Sequence, residues 1–135
     1  MARPDQVLNY RPAIEHALAF SQVVKSGPFL FISGILSMDR EGNCIGAGNM
    51  ALQVQTVYSQ LREILAEQDV AFEQVVRETI YTVNMQALCA AAPLRARFFE
   101  SFRGPASTWV EVQGLYRPEY LLEVEVIAER SRFPR

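Results

Sequence analysis

Gly104-Pro105-Ala106-Ser107-Thr108-Trp109-Val110-Glu111-Val112-Gln113, answered by Leu121-Leu122-Glu123-Val124-Glu125-Val126-Ile127-Ala128, is the part of the chain that decides the fold. Both runs are rich in β-branched and aliphatic residues and alternate with period two, the pattern of half-buried strands. One face carries Thr108, Val110 and Val112, then Leu122, Val124, Val126 and Ala128. The other carries Ser107, Trp109 and Glu111, then Leu121, Glu123, Glu125 and Ile127. Read as antiparallel neighbours, the two runs put an indole and three carboxylates on one face. A plain solvent face would hold more Lys and Thr and no Trp, so this face is expected to be covered in part by another subunit or a ligand.

Working outward, Met50, Val54, Val57, Tyr58, Leu61, Ile64 and Leu65 form one helical stripe, and Asn49 is placed to cap it. Glu78–Asn84 reads as a strand, and Gln86–Phe99 as a second helix with Leu88, Ala91, Leu94 or Arg95, and Phe98 on its stripe. Pro93 is awkward inside that helix. Arg95 and Arg97 read as solvated. Upstream, Phe20–Lys25 and the apolar run Phe29–Leu36 flank Ser26-Gly27-Pro28, as in a hairpin. Gly34 within the apolar run marks either a bulge without function or a place where the Ser33-Gly34 backbone meets a small ligand.

Residues 1–19, with Pro4 and Pro12, read as an irregular lead-in carrying the lone His16 as a surface residue, and 129–135 as a polar tail. Residues 37–49 read as a surface loop. The resulting order, β-β-α-β-α-β-β over a single domain 1–135, has connections within its first and last strand pairs too short for a parallel crossover. Both pairs are therefore expected to be hairpins. Two helices on one face of a mixed sheet give an α+β architecture and leave the other face to be buried between subunits.

Composition narrows the function. Hydrophobic residues make up 50% of 135 residues, enough for a core. A net charge of −2 gives nucleic acid no basic patch to bind. Cys44 and Cys89 lack CxxC spacing and have one histidine for company, which argues against a metal site and fits reduced thiols in a cytoplasmic protein. No apolar run approaches a membrane span, and the first residues lack the apolar core of a signal peptide. The glycines at 42, 46 and 48 do not form a phosphate loop. No cofactor is implied.

Several stretches together resemble the Rid family (reactive intermediate deaminases, YjgF-like). They are Leu30-Phe31-Ile32-Ser33-Gly34, Gln55-Thr56 with Leu61 and Leu65, Val75–Tyr81 with Asn84-Met85, Arg97-Phe98-Phe99, Pro105-Ala106 with Val110-Glu111-Val112, and Leu122–Ala128. The resemblance implies a chorismate-mutase-like fold, a homotrimer with its sheets facing inward, small-molecule clefts between subunits, and hydrolysis of reactive enamines and imines to a keto acid and ammonia. It assigns Glu123 to positioning water. It also marks departures. Ser107 stands where an arginine is expected to grip the substrate carboxylate, Phe20 where a Tyr often lines the cleft, Ile35 for a Gln, Ala92 for an Asn and Trp109 for a small Cys.

Losing a guanidinium removes both a charge and a bidentate fork. The chain is thus expected to be a hydrolytic enamine/imine deaminase with an altered substrate, with Glu123 as general base. Ser33, Gly34, Ile35, Phe20, Ser107 and Trp109 would line the cleft, and Arg117 is a candidate to hold a carboxylate in place of the missing arginine. Glu123 could instead pair across the subunit interface. The alternative function is a non-catalytic, ligand-binding trimer.

Overall fold

In a computed structural model, described for residues 6–99 and 103–130, the chain forms an α+β fold. The elements are β1 (Gln6–Leu8), α1 (Pro12–Ala17), β2 (Val23–Ser26), β3 (Phe29–Ile35), α2 (Met50–Glu67), β4 (Val75–Thr82), α3 (Met85–Ala96), β5 (Ala106–Glu111) and β6 (Leu122–Glu129). Short 3-10 turns at Phe72–Gln74 and Arg97–Phe99 precede β4 and follow α3. The described residues build a six-stranded mixed sheet in the order β1-β2-β3-β6-β4-β5.

The anticipated α2 stripe is the centre of the core. Val54, Val57, Tyr58, Leu61, Ile64 and Leu65 are buried against Leu30, Ile32 and Ile35 of β3, Ile80 of β4, and Leu122, Val124, Val126 and Ala128 of β6. The Asn49 side chain accepts from the Leu52 N–H at 3.0 Å, satisfying one donor at the helix start. Asn84 does the same for α3 through the Ala87 N–H at 3.0 Å. Pro93 sits inside α3 without ending it.

Three expectations are corrected. First, the lead-in is ordered where it is described: β1 pairs with β2, and α1 follows it. Pro12 lies in the first turn of α1, where a missing N–H costs nothing, so proline opens this helix rather than preventing it. Residues 1–5 of the lead-in and 131–135 of the tail lie outside the described residues, and Glu129 belongs to β6.

Second, β2 and β3 form the expected antiparallel hairpin, but β5 and β6 do not. The strand β4 lies between them, antiparallel to β6 and parallel to β5 through the α3 crossover. Third, this reverses one face assignment. Glu78, Ile80 and Thr82 of β4 point to the helices, and in the parallel register they stand beside Ser107, Trp109 and Glu111. Trp109 therefore packs against the helix-side core, while Thr108 and Val110 join Glu123 and Glu125 on the open face.

Candidate functional site

The strand β6 alternates strictly, with Leu122, Val124, Val126 and Ala128 inward and Glu123, Glu125 and Ile127 outward. Opposite Glu123, the β3–β6 ladder shifts register between Ile32 and Ile35, a bulge centred on Ser33-Gly34. The Glu123 carboxylate lies against Gly34 so closely that a Cβ there would stand 2.0 Å from Oε2. Glycine is thus what lets the carboxylate rest on the bulged backbone.

Glu123, Gly34 and Ser33 line an open cavity of about 340 Å³. Its remaining walls come from α1 and its flanks (Arg11, Ile14, Glu15, Leu18), from Phe20 and Gln22, and from Leu36, Met38 and Tyr116. The lining is mostly apolar. Leu18, Phe20 and Tyr116 on it are among the most exposed large hydrophobic side chains of the described residues, at 54%, 38% and 48%.

The charges in this cavity differ in how they are used. Glu15 is fully buried and accepts from Asn9 Nδ2 at 2.8 Å, Tyr10 N at 2.8 Å, Gln22 N at 2.6 Å and Arg11 N, which ties α1 to β2. Arg11 is buried, with Nε donating to the Asp39 carbonyl at 2.8 Å and Nη2 to the Met38 carbonyl and to Gln60 Oε1 at 3.2 Å. Glu123 is half-buried and, among the described residues, its carboxylate accepts no hydrogen bond. Its cross-strand neighbour Tyr81 donates instead to Glu125 Oε1 at 2.6 Å. Burial, and secondarily the charge of Glu125, push the Glu123 carboxyl above the ordinary glutamate range.

A second polar cluster lies on the helix side. Glu78 is fully buried; its Oε1 accepts from Arg95 Nε at 2.6 Å, from Arg95 Nη2 and from Ser107 Oγ at 2.9 Å, and its Oε2 from Tyr58 Oη at 2.9 Å. Trp109 Nε1 donates to Ser107 Oγ at 2.7 Å, and its ring lies 5.6 Å from the Arg95 guanidinium. Arg95, expected to be solvated, is instead committed to a buried ion pair, with 15% of its side chain exposed.

Of the residues singled out from sequence, Phe20, Ser33, Gly34 and Glu123 meet in the cavity. Ile35 does not. The bulge turns it into the core, 1% exposed, and Leu36 takes the place on the wall. Ser107 and Trp109 belong to the Glu78 cluster on the opposite face of the sheet. Arg117 stands beside the cavity, its guanidinium 5.0 Å from the Tyr116 ring centre and its Nη1 3.3 Å from the Gly42 carbonyl oxygen.

The Ser33 N–H donates to the Gln22 carbonyl at 2.9 Å, its carbonyl accepts from Gln22 Nε2 at 2.8 Å, and its hydroxyl donates to the Ser21 carbonyl at 2.6 Å. Its backbone groups are therefore committed within the chain. Sequence reasoning missed the α1 wall because prolines on either side of β1 hid that short helix. The available signal was Pro12 itself, a proline at the first helical position of the run Pro12-Ala13-Ile14-Glu15-His16-Ala17. No group of three His, Cys, Asp or Glu able to hold a metal occurs among the described residues.

Comparison with known proteins agrees with this geometry. Residues 11–130 match the family described as Endoribonuclease L-PSP. A RutC family protein of Pyrococcus horikoshii is 30% identical over 112 residues, covering 83% of this chain and 87% of its own. The 3-aminoacrylate deaminase RutC of Acinetobacter baylyi is 27% identical over 104 residues, covering 77% and 81%. The crystal structure of a YjgF/YER057c/UK114 family member from Mycobacterium tuberculosis superposes with a TM-score of 0.78 at 22% identity, covering 92% of this chain and 98% of the other, a likeness of fold. The sheet and helices are accordingly those of the chorismate-mutase-like fold, and the chain belongs to the Endoribonuclease L-PSP family, the Rid or YjgF-like proteins.

Proposed function

We propose that this protein is a hydrolytic deaminase of small enamines or imines, acting as a homotrimer, with Glu123 moving the protons. One observation carries the reading: a half-buried carboxylate without a hydrogen-bond donor among the described residues rests on a glycine at the wall of an open, mostly apolar cavity. Burial that raises a carboxyl above the ordinary glutamate range brings it closer to the proton exchange that acid–base catalysis requires. The deaminase named among the relatives supports the reaction class.

The chemistry balances on one carboxyl group. As water adds to the carbon of an iminium ion, the C–O bond forms and Glu123 accepts the proton that water gives up. Protonated Glu123 then delivers that proton to the carbinolamine nitrogen. The C–N bond breaks, ammonia leaves, and the hydroxyl proton passes through Glu123 to ammonia. The sum is iminium plus water to carbonyl compound plus ammonium. An enamine enters the same sequence after taking a proton on its β-carbon.

The family's printed name suggests ribonuclease chemistry, but a cavity with an unpaired carboxylate and an apolar rim is poorly suited to phosphates. The trimer is supported by the open sheet face. Phe31 remains 43% exposed there, beside Val24 and Ile127, and Val110 37% exposed beside Tyr81. Burying such a face between symmetry-related copies is the usual remedy. A second reading, ligand binding without turnover, is favoured by Ser107, whose hydroxyl is engaged with Glu78 and Trp109.

The test is ammonia release from imines generated in situ, measured beside Glu123→Ala. Release that the variant loses supports the deaminase. Release no faster than with the variant rejects it, and saturable ligand binding in that case supports the second reading. Light scattering at micromolar concentration should give three times the 15.3 kDa of one chain.

A further inference from the structure

We infer that the Glu123 cavity takes a neutral imine or enamine bearing an apolar, aromatic-sized group, rather than one derived from an amino acid and carrying a carboxylate. The inference rests on the proposed reaction and names its substrate class.

Two observations carry it. The first is the charge of the cavity. Its lining holds one cation, Arg11, and two carboxylates, Glu15 and Glu123. Arg11 cannot readily serve a ligand. The Nε–Nη2 edge, the side that grips a carboxylate with two parallel N–H bonds, already donates to two backbone carbonyls and Gln60. Turning it toward a ligand would strip those carbonyls of donors in a buried place. Glu15 is saturated by four donors. Glu123 is therefore the one charge there without a hydrogen-bonded partner among the described residues, and a second carboxylate beside it would be repelled.

The second observation is the rim. Leu18, Phe20 and Tyr116 converge on one opening from α1's flank, the approach to β2 and the β5–β6 connection. Exposed apolar side chains scattered over a surface need no explanation, but a collar of them around a cavity is a binding feature. With Ile14 and Leu36 behind them, the walls offer an aryl or alkyl group contact on several sides.

A matched pair of imines isolates the claim. Phenethylamine with an amine oxidase yields the neutral imine of phenylacetaldehyde. Phenylalanine with an amino acid oxidase yields the imine of phenylpyruvate, which adds a carboxylate to the same skeleton. Imine loss is followed by competition with semicarbazide trapping. The expected result is a kcat/KM at least about tenfold higher for the neutral imine, because a carboxylate set beside Glu123 without a cation is repelled. Equal rates, or preference for the carboxylate, overturn the inference and leave the deaminase reading intact.

If neither imine is hydrolysed, it is the reaction that fails, and binding decides the substrate class. Calorimetry should then give phenylacetone an affinity at least about tenfold above phenylpyruvate; any other order overturns the inference. Phe20→Arg, at an exposed rim position, should swing either ratio toward the carboxylate. Arg117→Ala should leave the ratio unchanged, and a selective loss of the carboxylate compound in that variant identifies Arg117 as its clamp and overturns the inference.

Discussion

Two glutamates on adjacent strands show how one sheet treats the same side chain in opposite ways. Glu78 on β4 points to the helices and is fully buried, with Tyr58, Arg95 and Ser107 donating to it. Glu123 on β6 points to the open face, half-buried, and no described residue donates to it. A carboxylate removed from water must be compensated or must shift its proton equilibrium. Glu78 takes the first course and becomes part of the core's architecture. Glu123 takes the second and remains available for chemistry. The difference tells which buried acid to mutate for stability and which for activity.

The largest expected effect breaks the compensated side. Arg95→Met keeps the stem packed but removes the cation from Glu78, and should destabilise the protein by about 3 kcal/mol, as for one partner lost from a buried pair. Urea unfolding at fixed protein concentration measures it. An unchanged midpoint would mean that Tyr58 and Ser107 hold Glu78 unaided. Next, Glu123→Gln should lower kcat/KM for imine hydrolysis by about 10²-fold or more, about 3 kcal/mol of transition-state stabilisation, without loss of fold. A variant that keeps its activity would falsify the proton-transfer role.

A smaller effect probes the contact between the bulge and the acid. Gly34→Ala places a methyl where Glu123 Oε2 now lies, 2.0 Å away. The clash extends back along the side chain to Cδ at 2.7 Å and Cγ at 2.8 Å, so the whole Glu123 side chain must turn about its Cα–Cβ bond to make room while the sheet keeps its register. Activity should fall about tenfold, from the sensitivity of proton transfer to misplacement, with thermal stability nearly unchanged. If stability collapses while the residual activity per folded molecule is normal, Gly34 serves the bulge and not the acid.

The outward side of this comparison was legible in the sequence, and the inward side was not. The period-two run through β6 put Glu123 on the outward face, and Gly34 in an apolar run announced the bulge. The Asn49 cap and the α2 stripe were equally plain, because cap chemistry and 3.6-residue periodicity are local. The Glu78 cluster depends on long-range facts. Alternation in β5 separates two faces but does not say which one meets the core, and on this edge strand most side chains stay exposed on both. The parallel pairing with β4 decides it, and that pairing comes from the α3 crossover. Likewise, the α3 stripe left Leu94 and Arg95 as rivals for one position. Both turn inward: the buried Glu78 draws in the arginine, and Leu94 packs against the core beside it.

The smallest expected effect tests the electrostatics of the uncompensated acid directly. Because burial raises the Glu123 pKa, the native protein holds a proton that the unfolded chain has already released, over the interval between the two values. Stability from this group is therefore fully present below the ordinary glutamate range and is lost as pH rises through the raised native value. Glu123→Gln has no such dependence. Relative to wild type it should gain a few tenths of a kcal/mol, about the scale left after solvent screening of a half-exposed group, on going from mildly acidic to neutral pH. Chemical unfolding of both proteins across that range, at one protein concentration, reads the difference. The opposite slope, with wild type gaining on the variant as pH rises, would mean that the assembled protein supplies Glu123 with a cation. Glu123 would then be a second Glu78, and the contrast between the two faces of the sheet would disappear.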